Sequence, residues 1–344
     1  MEELINKLDT TDQFSILQNS YKQIEYAWSN KIELIKDNFN DIDKIIICGM
    51  GGSAIGGDLL TNLIQDELSI PIFVNRNYTL PTFCNKNSLV IISSYSGNTE
   101  ESISAFYQAV NKRCKIITMS TGGKIKELSI AHKFSFISLQ EGFQPRYALY
   151  MLLFTLLKIF QLLQLIKNKD EFVNECINLL KEKSAIYNKD NSEPEKFALS
   201  LLGFIPIIYA ATDFNNSIGF RFKGQLNENS KLHAFCNLIP EMNHNEIIGW
   251  ETISENLMRT KVVYLIDDQM HQRIKLRFEI LEQLLNQQNI EVLKISSSES
   301  SVNLRLIDSL YFSDWVSYVL AIYRKKDPVE IDNINILKEK LSKI

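Results

Sequence analysis

Two short stretches carry residue types that suit a phosphate. The first is Cys48-Gly49-Met50-Gly51-Gly52-Ser53-Ala54-Ile55-Gly56-Gly57-Asp58, with five glycines in nine positions. It follows the apolar run Lys44-Ile45-Ile46-Ile47 and precedes a helix-like segment from Leu59 to Gln65. That order reads as strand, glycine-rich turn, helix start. Glycine lets backbone N–H groups approach a ligand closely. The first turn of a helix leaves N–H groups unpaired and carries partial positive charge. An anion, most often a phosphate, is the expected guest. The plain alternative is a tight turn without a ligand, which rarely needs so many glycines. The second stretch is Ser94-Tyr95-Ser96-Gly97-Asn98-Thr99-Glu100-Glu101, with hydroxyls at Ser94, Ser96 and Thr99 around Gly97. It contains no Lys or Arg, so it suits a sugar phosphate better than a nucleoside triphosphate. The lysine of GxxxxGK[ST] is absent, which argues against a P-loop NTPase. Nor do the glycines of the first stretch form a clean GxGxxG dinucleotide fingerprint. The bland reading of the second loop is helix capping by Ser96 or Thr99, with Glu100 and Glu101 favouring the dipole. Capping and phosphate binding are compatible.

The elements that must hold these loops alternate between strands and helices. Apolar spacing of three and four predicts a helix over residues 12–38. Strands are expected at Ile45–Cys48, Ile70–Val74, Leu89–Ser93, Cys114–Met119 and Lys133–Ile137, with helices at 102–111 and 123–128. Gln144-Pro145-Arg146-Tyr147 opens a long apolar helix, and an amphipathic one follows over 170–187. The pattern then restarts. Strands are expected at Phe204–Tyr209, Leu232–Phe235, Val262–Ile266 and Glu291–Ile295. Helices are expected over 215–229, 269–286 and 300–323, and the tail ends in a short amphipathic helix. Pro206 inside its strand predicts an edge or a bulge. Continuous apolar strands alternating with helices predict α/β architecture: parallel sheets covered on both faces, in three α/β/α layers. The polar segment Asn188–Glu195 suggests a domain junction there or in the two helices before it. The expected organisation is an N-terminal helical segment over 1–43, a first domain over 44–188, and a second over 189–344 with a helical tail.

Bulk properties exclude several classes of partner. The chain has 344 residues, 45% hydrophobic and 23% charged, an ordinary globular composition. A net charge of −4 and pI near 5.7 give no reason to expect nucleic acid or an anionic membrane surface. A phosphate must then be held by local donors. Five scattered cysteines lack CxxC spacing, which argues against a disulfide scaffold or zinc cage and fits a reducing cytoplasm. The polar, acidic N-terminus has no signal-peptide pattern. The apolar stretch Tyr147–Ile166 is interrupted by Lys158, Gln161 and Gln164 and reads as a core helix, not a membrane span.

GMGGSAIGGD followed by SSYSGNTEE resembles the sugar isomerase (SIS) domain. Three further blocks occur in order: Gln144-Pro145-Arg146-Tyr147-Ala148, then Gly224-Gln225-Leu226-Asn227-Glu228-Asn229-Ser230-Lys231, then Pro240-Glu241-Met242-Asn243-His244-Asn245-Glu246. Together they resemble the bifunctional phosphoglucose/phosphomannose isomerases of the phosphoglucose isomerase superfamily, from about Lys44 to the C-terminus. The NENSK and MNHNE blocks are the most specific to that branch. The resemblance implies two SIS-type subdomains and interconversion of glucose 6-phosphate, and mannose 6-phosphate, with fructose 6-phosphate. It implies no cofactor and no metal.

Such a reaction opens the sugar ring and moves a proton between C1 and C2 through a cis-enediolate. The proton needs a base that later acts as an acid. The resemblance puts that role on Glu228, which composition alone would read as a solvated helix carboxylate. Developing negative charge calls for a fixed cation. Arg146 is the candidate, since an arginine at a helix start does not help the helix dipole, and the resemblance agrees. Histidine titrates in the range that ring opening needs. Of four histidines, His132, His233 and His271 read as structural or exposed, and the resemblance gives the role to His244. It also implies that His244 reaches the site of a partner subunit, hence a homodimer, and that a C-terminal lysine assists ring opening. The tail pattern places this lysine at Lys338, with Lys340 as neighbour. Gly51, Gly52 and Ser53 are expected beside the sugar ring and phosphate, and Ser94, Ser96 and Thr99 on the phosphate. Two rivals remain: a noncatalytic SIS module that binds a sugar phosphate, and an aminosugar-phosphate isomerase.

Overall fold

The structure is a computed structural model that describes residues 1–35, 39–251, 258–341 and 343. The chain divides into two compact units, one of residues 19–178 and one of residues 1–18 with 179–344. The division falls within the helix Asp170–Tyr187, one of the two helices before Asn188–Glu195 in which the sequence also allowed the junction. The N-terminal segment is also shared out, its first 18 residues going with the C-terminal unit.

The unit of residues 19–178 is built on a five-stranded parallel sheet, ordered β2-β1-β3-β4-β5. Its strands are β1 (Lys44–Cys48), β2 (Ile72–Asn75), β3 (Ser88–Ser93), β4 (Lys115–Ser120) and β5 (Ser135–Ser138). Interior strand β1 pairs Ile47 with Val74 on one side and with Ile91 on the other. Period two sends alternate residues to opposite faces. Ile46, Val90 and Ile116 pack with Phe106 and Ala109, and with Ile125, of two helices on one face, Glu100–Asn111 and Gly123–Ala131. Ile47 lies on the other face, against the helix Gly51–Ile64. The apolar helix Leu149–Leu162 is almost wholly buried. Its Lys158 is not a surface charge: the ammonium donates to the carbonyls of Trp28 and Asn30, which end the helix Ser20–Ser29. No described helix is long and apolar enough to cross a membrane.

The second unit carries a four-stranded parallel sheet, ordered β7-β6-β8-β9: β6 (Ile205–Ala211), β7 (Phe235–Ile239), β8 (Thr260–Leu265) and β9 (Val292–Ile295). Ile207, Tyr209, Val262 and Tyr264 pack with Phe278, Leu281 and Leu285 of the helix Gln272–Gln287. We label the helices that matter below α10 (Asn216–Glu228), α12 (Val302–Tyr323) and α13 (Asp332–Leu341), their places in chain order.

Several expectations change. The strand expected at Leu232–Phe235 lies at Phe235–Ile239. Pro206 sits in an interior strand, not at an edge or bulge. Its pairing with β7 begins only at Ile207, so the missing N–H leaves that ladder intact. The helix expected over 12–38 is two helices, Gln13–Gln18 and Ser20–Ser29, and residues 31–35 are not helical. Residues 36–38 lie outside the described residues. Asp9 caps the first helix through bonds from the Gln13 and Phe14 N–H groups (2.8 and 2.7 Å) while accepting from Tyr318 Oη (2.8 Å). The first glycine-rich stretch is helical from Gly51 onward. Gly56 and Gly57 lie within that helix; at Gly57 a Cβ would press on Ile47 and Val74, at 3.1 and 3.2 Å, so the bare backbone lets the helix lie close on the sheet.

Tyr187, Tyr209, Tyr264 and Tyr311 lie in the second unit, and burial pushes each phenol well above its ordinary pKa. A group whose folded pKa exceeds its unfolded value, here about 10, holds its stability below that value and loses it as pH rises. Unfolding free energy is therefore expected to fall above about pH 10, by on the order of 1.4 kcal/mol per pH unit per tyrosine. Chemical denaturation between pH 8 and 12 measures this, and a flat profile would contradict it.

Candidate active site

In the first unit the two loops and the Arg146 turn are stitched together through the backbone. The helix over 51–64 begins at Gly51, whose φ is +50°, and it has no side-chain cap. A Cβ on Gly52 would stand 2.8 Å from the carbonyl oxygen of Pro145 and 3.5 Å from Cα of Arg146. Only a hydrogen atom fits there, so the turn Pro145–Tyr147 can rest on the start of this helix. Arg146 is buried, its guanidinium 5.6 Å from the centroid of the Tyr147 ring. Ser53 is buried and its Oγ accepts from the Tyr95 N–H (3.3 Å), which ties the first loop to the second.

The second loop is held as tightly. Gly97 has φ +71°, and a Cβ there would lie 1.9 Å from the Gly122 carbonyl oxygen. Buried Ser94 donates from Oγ to Thr99 Oγ1 (3.0 Å), while exposed Ser96 accepts from the Asn98 N–H (3.3 Å). Thr99 stands at the N-cap of the helix over 100–111, yet its side chain does not cap it. The expected capping by Ser96 or Thr99 is therefore absent: Thr99 is turned to Ser94 and Ser96 to Asn98. The first N–H groups of both helices lack a side-chain cap, the arrangement that suits an anion. Asp58, which closes the first motif, is paired with Arg76; burial nevertheless raises its pKa.

Sequence reasoning missed Tyr95 and Asn98. The Tyr95 hydroxyl donates to the Gln140 carbonyl (3.0 Å) and accepts from the Phe143 N–H (2.9 Å). Asn98 Oδ1 accepts from the Lys124 N–H (2.9 Å) at the start of the helix over 123–131. Both lie inside the hydroxyl motif, and their tertiary partners have no local signature.

The second unit places Glu228, His244 and Lys338 on three different elements. Glu228 is the last residue of α10 and is half-buried. Its neighbours are bolted to α12: Asn229 Nδ2 donates to Ser317 Oγ (3.1 Å) and Ser230 Oγ to the Ser317 carbonyl (2.6 Å). His244 ends the 3-10 turn Glu241–His244 and is exposed. Close by in sequence, Glu246 accepts from Tyr209 Oη (2.6 Å) and Asn237 Nδ2 (2.5 Å), with Trp250 Nε1 donating to the same hydroxyl (2.9 Å). That anchor, also unread in the sequence, pins the segment to β6 and β7. Lys338 and Lys340 both sit exposed on α13. The other histidines have structural partners: His132 stacks on Phe134, His233 on Phe235, and His271 caps the helix over 272–287 by accepting from the Arg273 N–H (3.1 Å). Among the described residues no three His, Cys, Asp or Glu side chains gather where they could hold a metal ion.

Two parallel α/β sheets, the first with hydroxyl-and-glycine loops at its strand ends, define the class. The fold matches the C-terminal domain of glucosamine-fructose-6-phosphate aminotransferase from Francisella tularensis, with TM-score 0.69, 14% identity, and coverage of 94% of this chain and 98% of that one. It also matches tagatose-6-phosphate ketose/aldose isomerase from Escherichia coli, with TM-score 0.66, 16% identity, and 91% of each chain covered. Residues 190–341 match the family described as bacterial phospho-glucose isomerase C-terminal SIS domain. The chain belongs to the bifunctional phosphoglucose/phosphomannose isomerase family. The member from Caldicellulosiruptor bescii is 38% identical over 336 residues, covering 96% of this chain and 99% of the relative. The member from Aquifex aeolicus is 34% identical over 333 residues, covering 96% and 98%.

Gly52→Ala forces the Pro145 carbonyl away and displaces Arg146. Affinity for fructose 6-phosphate, measured calorimetrically, is expected to fall about tenfold, or 1.4 kcal/mol, in a protein that remains folded by circular dichroism. Unchanged affinity would show that this contact does not set the site.

Proposed function

We propose that the protein interconverts glucose 6-phosphate and mannose 6-phosphate with fructose 6-phosphate, without a metal, as a cytoplasmic homodimer. Membership of the isomerase family, with the base, imidazole and cation all present at the motif positions, is the observation that carries this reading. Ser94, Ser96 and Thr99 take the phosphate, together with uncapped N–H groups at the start of the helix over 100–111. Gly51, Gly52 and Ser53 border the ring and phosphate. His244 and Lys338 move the proton that opens the ring. Glu228 removes the C2 proton of the open-chain aldose and returns it to C1 of the cis-enediolate. Arg146 holds the charge that develops on the enediolate oxygens; its burial strengthens that interaction by excluding water. Glucose and mannose differ at C2, which becomes planar in the enediolate, so one intermediate serves both. The exposure of His244 is consistent with its serving a partner subunit's site.

The purified protein, assayed with each aldose phosphate in EDTA, is expected to form fructose 6-phosphate from both. Loss of activity in chelator would reject the metal-free route. Turnover of glucosamine 6-phosphate in place of both would favour the aminosugar reading, and binding without turnover the regulatory one. Glu228→Gln is expected to lower kcat about a thousandfold while KM stays within a few-fold. A near-normal kcat would remove Glu228 from the role of base.

A further inference from the structure

We propose that Asp314 is the positioning residue for the base, an inference that rests on reading Glu228 as that base. Arg221, Gln225 and Asn229 recur every fourth residue, so they form one row along α10 and its C-cap. All three are buried. The row meets α12 at Asp314, itself buried, whose Oδ1 accepts from Arg221 Nε (3.2 Å) and Gln225 Nε2 (3.0 Å). One turn further along α12, Ser317 Oγ donates to the Asp314 carbonyl (2.8 Å) and accepts from Asn229. The Asp314 carboxylate therefore holds α10 through Arg221 and Gln225, while its backbone carbonyl orients the Ser317 hydroxyl that takes the C-cap residue Asn229. Glu228 lies next to the final member of the row. A rotation of α10 about its own axis would swing the Glu228 carboxylate, and the row is what resists that rotation.

The alternative is a helix clamp with no bearing on chemistry. Kinetics of Asp314→Asn in the full-length protein separate the two, using glucose 6-phosphate with hydrogen or deuterium at C2. A mispositioned base slows proton transfer selectively. The expected result is a kcat per folded molecule about a hundredfold lower, a KM within threefold, and a larger primary isotope effect than wild type. A clamp lowers only the folded fraction, so an unchanged isotope effect with normal kcat per folded molecule overturns the proposal. If Asp314→Asn does not fold, Gln225→Met is read the same way. It removes one bond to the same oxygen and leaves the Arg221–Asp314 pair. It is expected to lower kcat about tenfold with a raised isotope effect, and an unchanged isotope effect overturns the proposal. Wild-type protein without turnover of either aldose phosphate overturns the isomerase reading and this proposal with it. Wild-type turnover with unperturbed variants overturns this proposal alone.

Discussion

Backbone lies against backbone where this protein's loops meet, at positions that have no room for a Cβ. At Gly52 the obstacle would be the Pro145 carbonyl and at Gly97 the Gly122 carbonyl. Everything else in the first unit's constellation follows from these approaches. The first brings the turn with buried Arg146 onto the start of the helix over 51–64. The second folds the Ser94–Thr99 loop onto the turn after β4. Hydrogen bonds then fasten what the glycines permit: Ser53 to the Tyr95 N–H, and the Tyr95 hydroxyl to Gln140 and Phe143. Each such bond contributes only about 0.5–1.5 kcal/mol net. They hold a geometry that steric exclusion has already selected. The hydroxyls of Ser94 and Thr99 pair with one another instead of capping the following helix, so its first N–H groups keep their capacity for an anion.

The second unit uses the same α/β frame with a different device. The residues proposed there for proton transfer do not sit on glycine loops. Glu228 ends a helix fixed by a buried polar seam, and His244 ends a short turn whose neighbour Glu246 is anchored on β6 and β7. Holding a phosphate asks for many converging backbone donors, which loops supply. Proton transfer asks for one carboxylate held in one place, and a supported helix end supplies that better than a loop.

The strands were legible because their apolar runs are continuous: Ile45–Ile47 and Leu89–Ile92 could only be covered on both faces. The loops were legible because hydroxyls and glycines followed those runs directly. The failures share a cause, the precedence of tertiary packing over local propensity. Gly56 and Gly57 read as a turn yet lie in a helix, and at Gly57 the close approach of Ile47 and Val74 gives glycine a packing reason that overrides its poor helix propensity. Pro206 read as an edge signal, but register with β7 begins one residue later. The segment over 12–38 kept a helical spacing across a break after Gln18, where local pattern carries no mark of the unit boundary. Arg146 and the NENSK block could be singled out from sequence. Asp314, Tyr95 and Tyr209 could not, since each acts through residues distant in the chain.

The Arg221–Asp314 pair shows why that last group matters. Burying two charges costs several kcal/mol per ion, and mutual attraction with good hydrogen bonding roughly offsets it. A well-packed apolar pair would join α10 to α12 at equal or better stability, so stability alone does not account for the ions. Apolar packing, however, is nearly indifferent to small rotations of one helix against the other, whereas a hydrogen bond weakens steeply with angle. Asp314 Oδ1 accepts from two side chains one turn apart, Arg221 and Gln225, and Ser317 fixes the C-cap residue a turn later. Three directional constraints along one helix face leave a single rotational setting for α10. The residue next to the last of them is Glu228, and the role of base proposed for it requires a carboxylate that reaches C1 and C2 from one position.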